Sequence, residues 1–400
     1  MSNTIIIFTT TFPFEGGEQF LETEINYLAS AFDTIIIVPA QNKNKNKNKK
    51  RNIPINVIID ESIANSNKGY IKRLFSLFSL FFIKNIFCCR NLNEAIYLSR
   101  ITIYIGLYKN WIEKFTCESE EQMHVFYTYW FSASTIALSE IKNKGKEISF
   151  FTRVHGGDLY PNVVGFNKFP CRSEVIKNID MIYPISENGY EFLRDKYKCA
   201  DKMKVAKLGS TLTGGRNYGS DDGVLRIVSC SNMIPVKRIH LIIDALKLIN
   251  NISVEWTHIG GGSLMDDLVL SSSNLNKDNI KCNFLGRISN KNVLAFYKCN
   301  PVDIFINASA SEGIPVSIME VQSFGIPVIA TDVGGTSEIV SEKTGCLLSS
   351  NPTAQDITVA IFKCFDDYEK RIAAFDSWSE SYDAHKNYNV FCADIIKDFF

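Results

Sequence analysis

The sequence has no excess charge of either sign: 43 Lys and Arg balance 43 Asp and Glu across 400 residues. Nothing in that balance suggests a nucleic-acid partner, and none is expected. No stretch reaches the roughly 18 consecutive apolar residues of a membrane span. No basic region precedes the short apolar run at 5–8, so that run reads as a first strand rather than a signal peptide. Eleven cysteines are present, but none are spaced C-x-x-C, and Cys88 and Cys89 are neighbours. A disulfide framework and a thiolate metal site are therefore not expected; free thiols in a reducing cytoplasm are. The glycine fingerprint G-x-G-x-x-G is missing after the first strand, which argues against a nicotinamide dehydrogenase. The pairs Asp221-Asp222, Asp266-Asp267 and Asp366-Asp367 are adjacent acids, not Asp-x-Asp at a strand end, so no metal and no cofactor are expected. No internal repeat is visible.

What is present is an ordinary globular composition, 46% hydrophobic and 22% charged. The length suits two lobes of about 200 residues each. Charge is unevenly divided: residues 1–200 hold 24 Lys and Arg against 20 acids, and residues 201–400 hold 19 against 23. The N-terminal half is the one suited to an anionic surface. Strands are expected at 4–10, 34–40, 55–60, 124–130, 148–154 and 181–186. Helices are expected at 19–31, 70–87, 93–115 and after 130 and 186, and KMKVAKL (202–208) closes the lobe. The Gly/Ser/Thr/Asp-rich stretch 209–223 reads as a linker. Beyond it, strands at 224–231, 254–260, 281–286 and 302–309 alternate with helices at 236–250 and 290–298, and the tail from 353 is helical. This alternation predicts an α/β protein with parallel sheets covered on both faces.

The most informative stretch is EGIPVSIME (312–320), which follows the apolar strand VDIFINAS. Gly313 permits a sharp turn, and Pro315 suits a first helical position. The amides of Val316, Ser317 and Ile318 are then expected at the positive end of a helix, where phosphate binds. Glu312 and Glu320 would lie about 12 Å apart along a helix. That span fits a sugar and a ribose joined by a diphosphate, with Glu312 accepting from sugar hydroxyls and Glu320 from the ribose diol.

The stretch 302–345 resembles the donor-site signature of retaining family 4 glycosyltransferases of the GT-B fold. FPFEGGEQFLETEINYL (12–28), FTRVHGGDLY (151–160), ISENGYEFL (185–193), CSNMIPVKRIHLIIDAL (230–246) and NFLGRISNKNVLAFY (283–297) resemble bacterial enzymes that build O-antigen, capsule or exopolysaccharide. The resemblance implies two Rossmann-like lobes: an acceptor lobe at 1–208 and a nucleotide-sugar lobe at 224–375, with 376–400 crossing back to the first. It implies that Lys237 stabilises the leaving diphosphate and that His155 contacts the donor sugar. Asp158 would orient His155 or bind the acceptor, and Arg153 is a further cleft candidate. Gly16 and Gly17, in the loop after the first strand, would line the acceptor or diphosphate side, although a plain strand–helix turn accounts for them equally. Gly261, in the glycine triplet after a second-lobe strand, would pack against the nucleotide or merely turn the chain, and Arg287 falls where family members approach the base and diphosphate. One departure stands out: many members carry a phosphate-binding arginine five residues before the lysine, and here that residue is Asn232, with Arg238 as a candidate substitute. The expected partners are a nucleotide-sugar donor and a lipid-linked saccharide acceptor at the inner face of a bacterial membrane. A nucleotide-sugar 2-epimerase of the same architecture and a non-catalytic sugar-binding protein are the rival readings.

Two readings stand for YIKRLFSLFSLFFIKNIFCCR (70–90). It is a buried core helix, or a segment lying on anionic lipid with Lys72, Arg73, Lys84 and Arg90 at the headgroups. The NKNKNKNKK tract nearby, with Arg51, adds six cations in nine residues and reads as a solvated loop.

Overall fold

The computed structural model describes residues 3–14, 17–42, 50–66, 79–87, 89–118, 123–161, 168–212, 214–273, 275, 279–365 and 367–400. Gly16, the tract 43–49 and residues 70–78 and 88 of the basic aromatic segment lie outside the described residues. The chain packs as two units, Met1–Ala206 with Tyr388–Phe400, and Lys207–Asn387.

In the first unit the strands are β1 (Thr4–Thr9), β2 (Thr34–Pro39), β3 (Val57–Ile59), β4 (His124–Thr128), β5 (Phe150–Val154) and β6 (Met181–Pro184). They form one parallel sheet in the order β3-β2-β1-β4-β5-β6. The helices are α1 (Leu21–Ala31), α2 (Ser62–Asn65), α3 (Leu80–Ile86), α4 (Leu92–Glu118), α5 (Ala133–Asn143), α6 (Gly156–Leu159), α7 (Arg172–Asn178) and α8 (Glu187–Tyr197). The run TIIIFT is buried throughout because helices cover both faces. Ile6 and Phe8 pack with Ile105, Tyr108 and Ile112 of α4, while Ile5 and Ile7 pack with Leu21, Ile25 and Phe391. This is the period-two alternation of a strand.

The second unit repeats the plan. Strands β7 (Val224–Cys230), β8 (Ser253–Ile259), β9 (Ile280–Phe284), β10 (Ile304–Asn307), β11 (Val328–Thr331) and β12 (Gly345–Leu348) pair in parallel in the order β12-β11-β10-β7-β8-β9. Its helices are α9 (Ile239–Lys247), α10 (Met265–Ser273), α11 (Asn290–Cys299), α12 (Val316–Gln322), α13 (Ala354–Cys364) and α14 (Tyr368–Ser381). The last helix, α15 (Ala384–Phe399), begins in this unit and ends in the first. Both sheets reverse their winding at the centre, between β1 and β4 and between β7 and β10. The crevice beyond the strand ends at such a point is where doubly wound sheets bind ligands.

Two boundaries differ from the sequence reading. Residues 209–223 pack as part of the second unit rather than as a free linker. The Asn217 amide donates to the Tyr297 and Asn300 carbonyls at 2.7 and 2.8 Å, and Ser220 bonds Asp303. Small polar residues that read as a linker in the sequence stitch this segment to the second unit. The passage into the first unit comes at Tyr388, within α15, not at 376. In 202–208, Met203 makes an isolated parallel bridge to Ile182 of β6.

Candidate functional site

The loops after β7 and β10 bring Lys237 and Glu312 together. Lys237 Nζ donates to Glu312 Oε1 at 2.5 Å, and the same oxygen accepts from Asn307 Nδ2 at 3.2 Å. Asn307, the last residue of β10, also holds the turn through the Ser309 amide at 3.1 Å. Both partners stay partly open, 20% and 12% exposed by side chain, so the pair faces outward from the strand ends. A small cavity beside it is lined by Cys230, Ser231, Lys237, Asn307 and Ser309.

The glycine turn after β11 fixes Glu312 from behind. Gly334 has φ +59°, and a Cβ there would lie 2.0 Å from the Glu312 carbonyl oxygen. Gly335 donates its amide to the Gly313 carbonyl at 2.8 Å. Pro315 is the N-cap of α12 rather than its first helical residue. Consequently the Ile318 amide is turned back to the Pro315 carbonyl at 3.0 Å and is not free for a ligand, a correction to the expected amide trio. Among the described residues, the amides of Val316 and Ser317 have no hydrogen-bond partner.

Glu320, one helical stretch further, is 9% exposed and accepts from Asn290 Nδ2 at 2.6 Å. Burial pushes its carboxyl up to about 7. The Cys230 thiol near it is pushed up to about 12, by burial first and then by the Glu320 charge, so it stays a thiol. Asn290 and Asn307 were missed by the sequence reading. Asn307 had a signal, a polar residue closing an apolar strand at its carboxyl end. Asn290 had none, since its partner is 30 residues away.

The two arginine candidates part company. Arg238, in the left-handed region at φ 46°, donates to the Ala308, Ser309 and Ser350 carbonyls at 2.7, 2.8 and 3.0 Å. Its guanidinium ties β10 to the loop after β12 and does not replace the missing phosphate arginine. Arg287 is exposed and reaches Asn232 Oδ1 with Nη2 at 3.1 Å. The cation absent from position 232 is thus supplied beside it from the loop after β9. Gly260 and Gly262 carry packing constraints: an added Cβ would meet Ser231 O at 1.9 Å and Met233 O at 2.4 Å. Gly261 has no such contact, its nearest neighbour being Arg287 N at 3.8 Å, so the space over it is open.

In the first unit, His155 follows β5 as the N-cap of α6, buried between Tyr129 and Trp130 with ring centroids 4.8 and 4.5 Å away. Neither ring nitrogen has a hydrogen-bond partner. Burial and the Arg153 charge push its pKa down to about 3, so the ring is neutral. His258 makes the contrast: both its nitrogens are satisfied, by Ser229 Oγ and the Ser231 carbonyl, as befits a structural residue. Asp158 accepts from the His155 and Phe131 amides, each at 2.6 Å, and so fixes the backbone on either side of the imidazole. Burial raises its carboxyl to about 7.

Arg153 is not a surface candidate. It is 0% exposed, paired with Glu24 at 3.3 Å, bonded to the Ala206 carbonyl and stacked on Phe391 at 4.1 Å. Its place on β5 turns the side chain into the core under α15. Gly17 accepts from Arg51 through its carbonyl at 2.8 Å. Its neighbour Glu18, also missed, accepts from the Thr10, Thr11 and Phe12 amides and from Trp130 Nε1 at 2.6 to 2.7 Å. That carboxylate fills the concave run of amides after β1 and locks it to the loop after β4. Among the described residues, no group of three or more His, Cys, Asp or Glu is arranged to hold a metal, and no helix is long and apolar enough to cross a membrane.

Comparison with known proteins follows this geometry. Residues 216–374 match the family model of glycosyl transferases group 1. The O-antigen biosynthesis glycosyltransferase WbnH of Escherichia coli is 37% identical over 111 residues, which is 28% of this chain and 29% of that protein. The chain thus spans under a third of that relative's length. Among solved structures, the apo form of the lipopolysaccharide outer core galactosyltransferase WaaB superposes with TM-score 0.69 at 16% identity, over 98% of this chain and 99% of that one. HepE of Anabaena in complex with UDP gives TM-score 0.65 at 15% identity, over the same shares of the two chains. At these identities the likeness is one of fold, and the fold is GT-B.

Proposed function

We propose that the protein, whose residues 216–374 match the family model of glycosyl transferases group 1 in a chain of GT-B fold, transfers a sugar from a nucleotide-diphosphate sugar to a lipid-linked saccharide in bacterial surface-polysaccharide biosynthesis, with retention of anomeric configuration. The observation that carries this reading is the Lys237–Glu312 pair at the β7/β10 switch point. A lysine tied to one carboxylate can exchange that partner for a diphosphate oxygen. Glu312, held in place by Asn307, then accepts from sugar hydroxyls. Glu320 accepts from the ribose diol, and Arg287 with Lys237 takes the diphosphate charge. The open face of Gly261 lets the nucleotide approach the backbone.

Chemistry in such a site is mainly electrostatic. Lys237 meets charge that grows on the leaving diphosphate as the glycosidic bond breaks. The acceptor hydroxyl attacks from the same face and passes its proton to the departing phosphate, so Glu312 binds and does not act as nucleophile. With two cationic side chains at the diphosphate, no divalent cation is needed, and turnover in EDTA is expected to match that in its absence. In the first unit His155 offers a neutral ring with two unpartnered nitrogens, either of which can bond a saccharide hydroxyl. The HepE complex with UDP supports the donor class by likeness, and the O-antigen relative supports a place in surface-polysaccharide biosynthesis.

The test is nucleoside diphosphate release in the presence of donor and acceptor, with the donor first found by thermal shift. A donor at one hundred times its Kd stabilises the protein by about 2.7 kcal/mol. Lys237→Ala and Glu312→Ala are each expected to lower turnover by about 10²–10³-fold. Near-normal turnover in both variants would overturn the assignment.

A further inference from the structure

The loops that follow β7, β8 and β9 are zipped together by their backbones. The Met233 amide donates to the Gly261 carbonyl at 3.1 Å, and the Gly260 amide to the Gly286 carbonyl at 2.9 Å. A Cβ at Gly260 would collide with the Ser231 carbonyl oxygen, so the loops approach more closely than a side chain allows. That register brings Asn232, from the first loop, beside Arg287, from the third. Asn232 Oδ1 accepts from Arg287 Nη2 at 3.1 Å. The Asn232 backbone is itself fixed, because its carbonyl accepts the Ile234 amide at 3.0 Å. Both side chains are exposed, and the other N–H groups of the Arg287 guanidinium have no partner among the described residues.

A long exposed arginine loses rotamer freedom when a ligand orders it. One hydrogen bond to a fixed asparagine oxygen removes part of that freedom beforehand and leaves the rest of the guanidinium fork for an anion. The two cations of the candidate donor site also stand with different acids. Lys237 is bonded to Glu312. Arg287 shares its loop with Asn290, which holds Glu320 at 2.6 Å. Under the donor reading Glu312 meets the sugar and Glu320 the ribose. The lysine therefore attends the sugar end of the diphosphate, and the arginine the ribose end.

Resting on that reading, we propose that Asn232 is a positioning residue: it holds Arg287 at the phosphate next to the ribose, while Lys237 serves the phosphate next to the sugar. Position 232, where the family resemblance implies an arginine, thus acts through the neighbouring loop. The charge is relocated from the loop after β7 to the loop after β9, and with it the phosphate that the guanidinium meets. Binding of the nucleotide then depends on its two phosphates through two separate side chains.

Isothermal titration of the full chain with a nucleoside diphosphate and with its monophosphate tells the two phosphates apart. The probes are UDP, GDP, CDP and ADP, each with its monophosphate. For the base that the parent binds, Arg287→Ala is expected to weaken diphosphate and monophosphate alike, by about ten-fold or more. Lys237→Ala is expected to weaken the diphosphate by a similar factor and to change the monophosphate by less than about two-fold. Asn232→Ala should weaken both by about three-fold, and should add nothing once Arg287 is replaced by alanine. Asn232→Arg should recover part of the diphosphate affinity in the Arg287→Ala background, which a merely structural role for these residues would not produce. Asn232 and Arg287 are exposed, so thermal melts without ligand are expected to match the parent. Monophosphate binding untouched by Arg287→Ala rules the inference out and leaves the donor reading standing. So does an Asn232→Ala loss that persists in full when Arg287 is already replaced. A parent that binds none of the diphosphates removes both.

Discussion

Glu320 couples the candidate donor site to pH. Its folded carboxyl keeps a proton up to about pH 7, whereas in the unfolded chain it releases it near 4.5. Between those values the folded state binds more protons, so the stability this group contributes falls as pH rises across the window. Glu320→Gln removes the penalty while an amide oxygen can still accept from Asn290. The variant is expected to exceed the parent in stability at pH 8 by about 2 kcal/mol and to match it below pH 4.5; urea titrations at the two pH values check this. Under the proposed role, ribose hydroxyls favour the carboxylate, so nucleotide affinity should rise through neutral pH in the parent and stay flat in the variant. At this scale the sequence made much of the site legible: Lys237, Glu312 and Glu320 stand where strand ends and a glycine turn place them. What it hid was side-chain direction. Arg238 and Arg287 look alike in sequence, and only the left-handed backbone at Arg238 turns its guanidinium onto carbonyls.

Arg153 shows how an element can absorb a residue that looks functional. It sits on β5, two residues before His155, and its side chain packs beneath α15, whereas His155 lies beyond the strand end as the N-cap of α6. There it pairs with fully buried Glu24, which also accepts from the Tyr127 hydroxyl at 2.8 Å. Burial raises the Glu24 pKa, against the lowering effect of Arg153 and Tyr127. Arg153→Met therefore leaves a buried carboxyl without its cation and is expected to cost about 3–5 kcal/mol at neutral pH. Adding Glu24→Gln should recover part of that loss, because it removes the unpaired charge. The loss should also shrink as pH falls and Glu24 takes up a proton. Chemical denaturation of the single and double variants at two pH values measures both effects. The strands themselves were legible because most are short, mainly apolar runs bounded by turn residues. The segment 209–223 was not, since Asn217 and Ser220 bond to residues some 80 positions away that no local pattern announces.

At the scale of the whole molecule, each unit has its own sheet and core, and one helix serves both. Residues 388–400 supply Phe391, Cys392 and Ile395 to the face of the first sheet that also holds Ile5, Ile7, Phe151 and Tyr183. Phe391 packs on Tyr127, Phe151 and Tyr183 with ring centroids 5.9, 6.2 and 5.0 Å apart, and Lys204 bonds Asp398 at 2.6 Å. Truncation before Tyr388 exposes that face. Three large side chains, Tyr388, Phe391 and Ile395, are each 0–1% exposed. Losing their burial removes about 1.5–3 kcal/mol apiece, comparable in sum to the stability of a whole domain. Arg153 would lose its aromatic cover in the same step. The first unit is therefore expected to fail to fold cooperatively in the truncated chain, while the second unit, whose contacts end at Asn387, keeps its transition. Calorimetry should show the loss of one transition, and hydrogen exchange should show protection confined to residues 207–387. A truncated chain that kept both transitions would mean that the apolar face of the first sheet is covered by something other than α15.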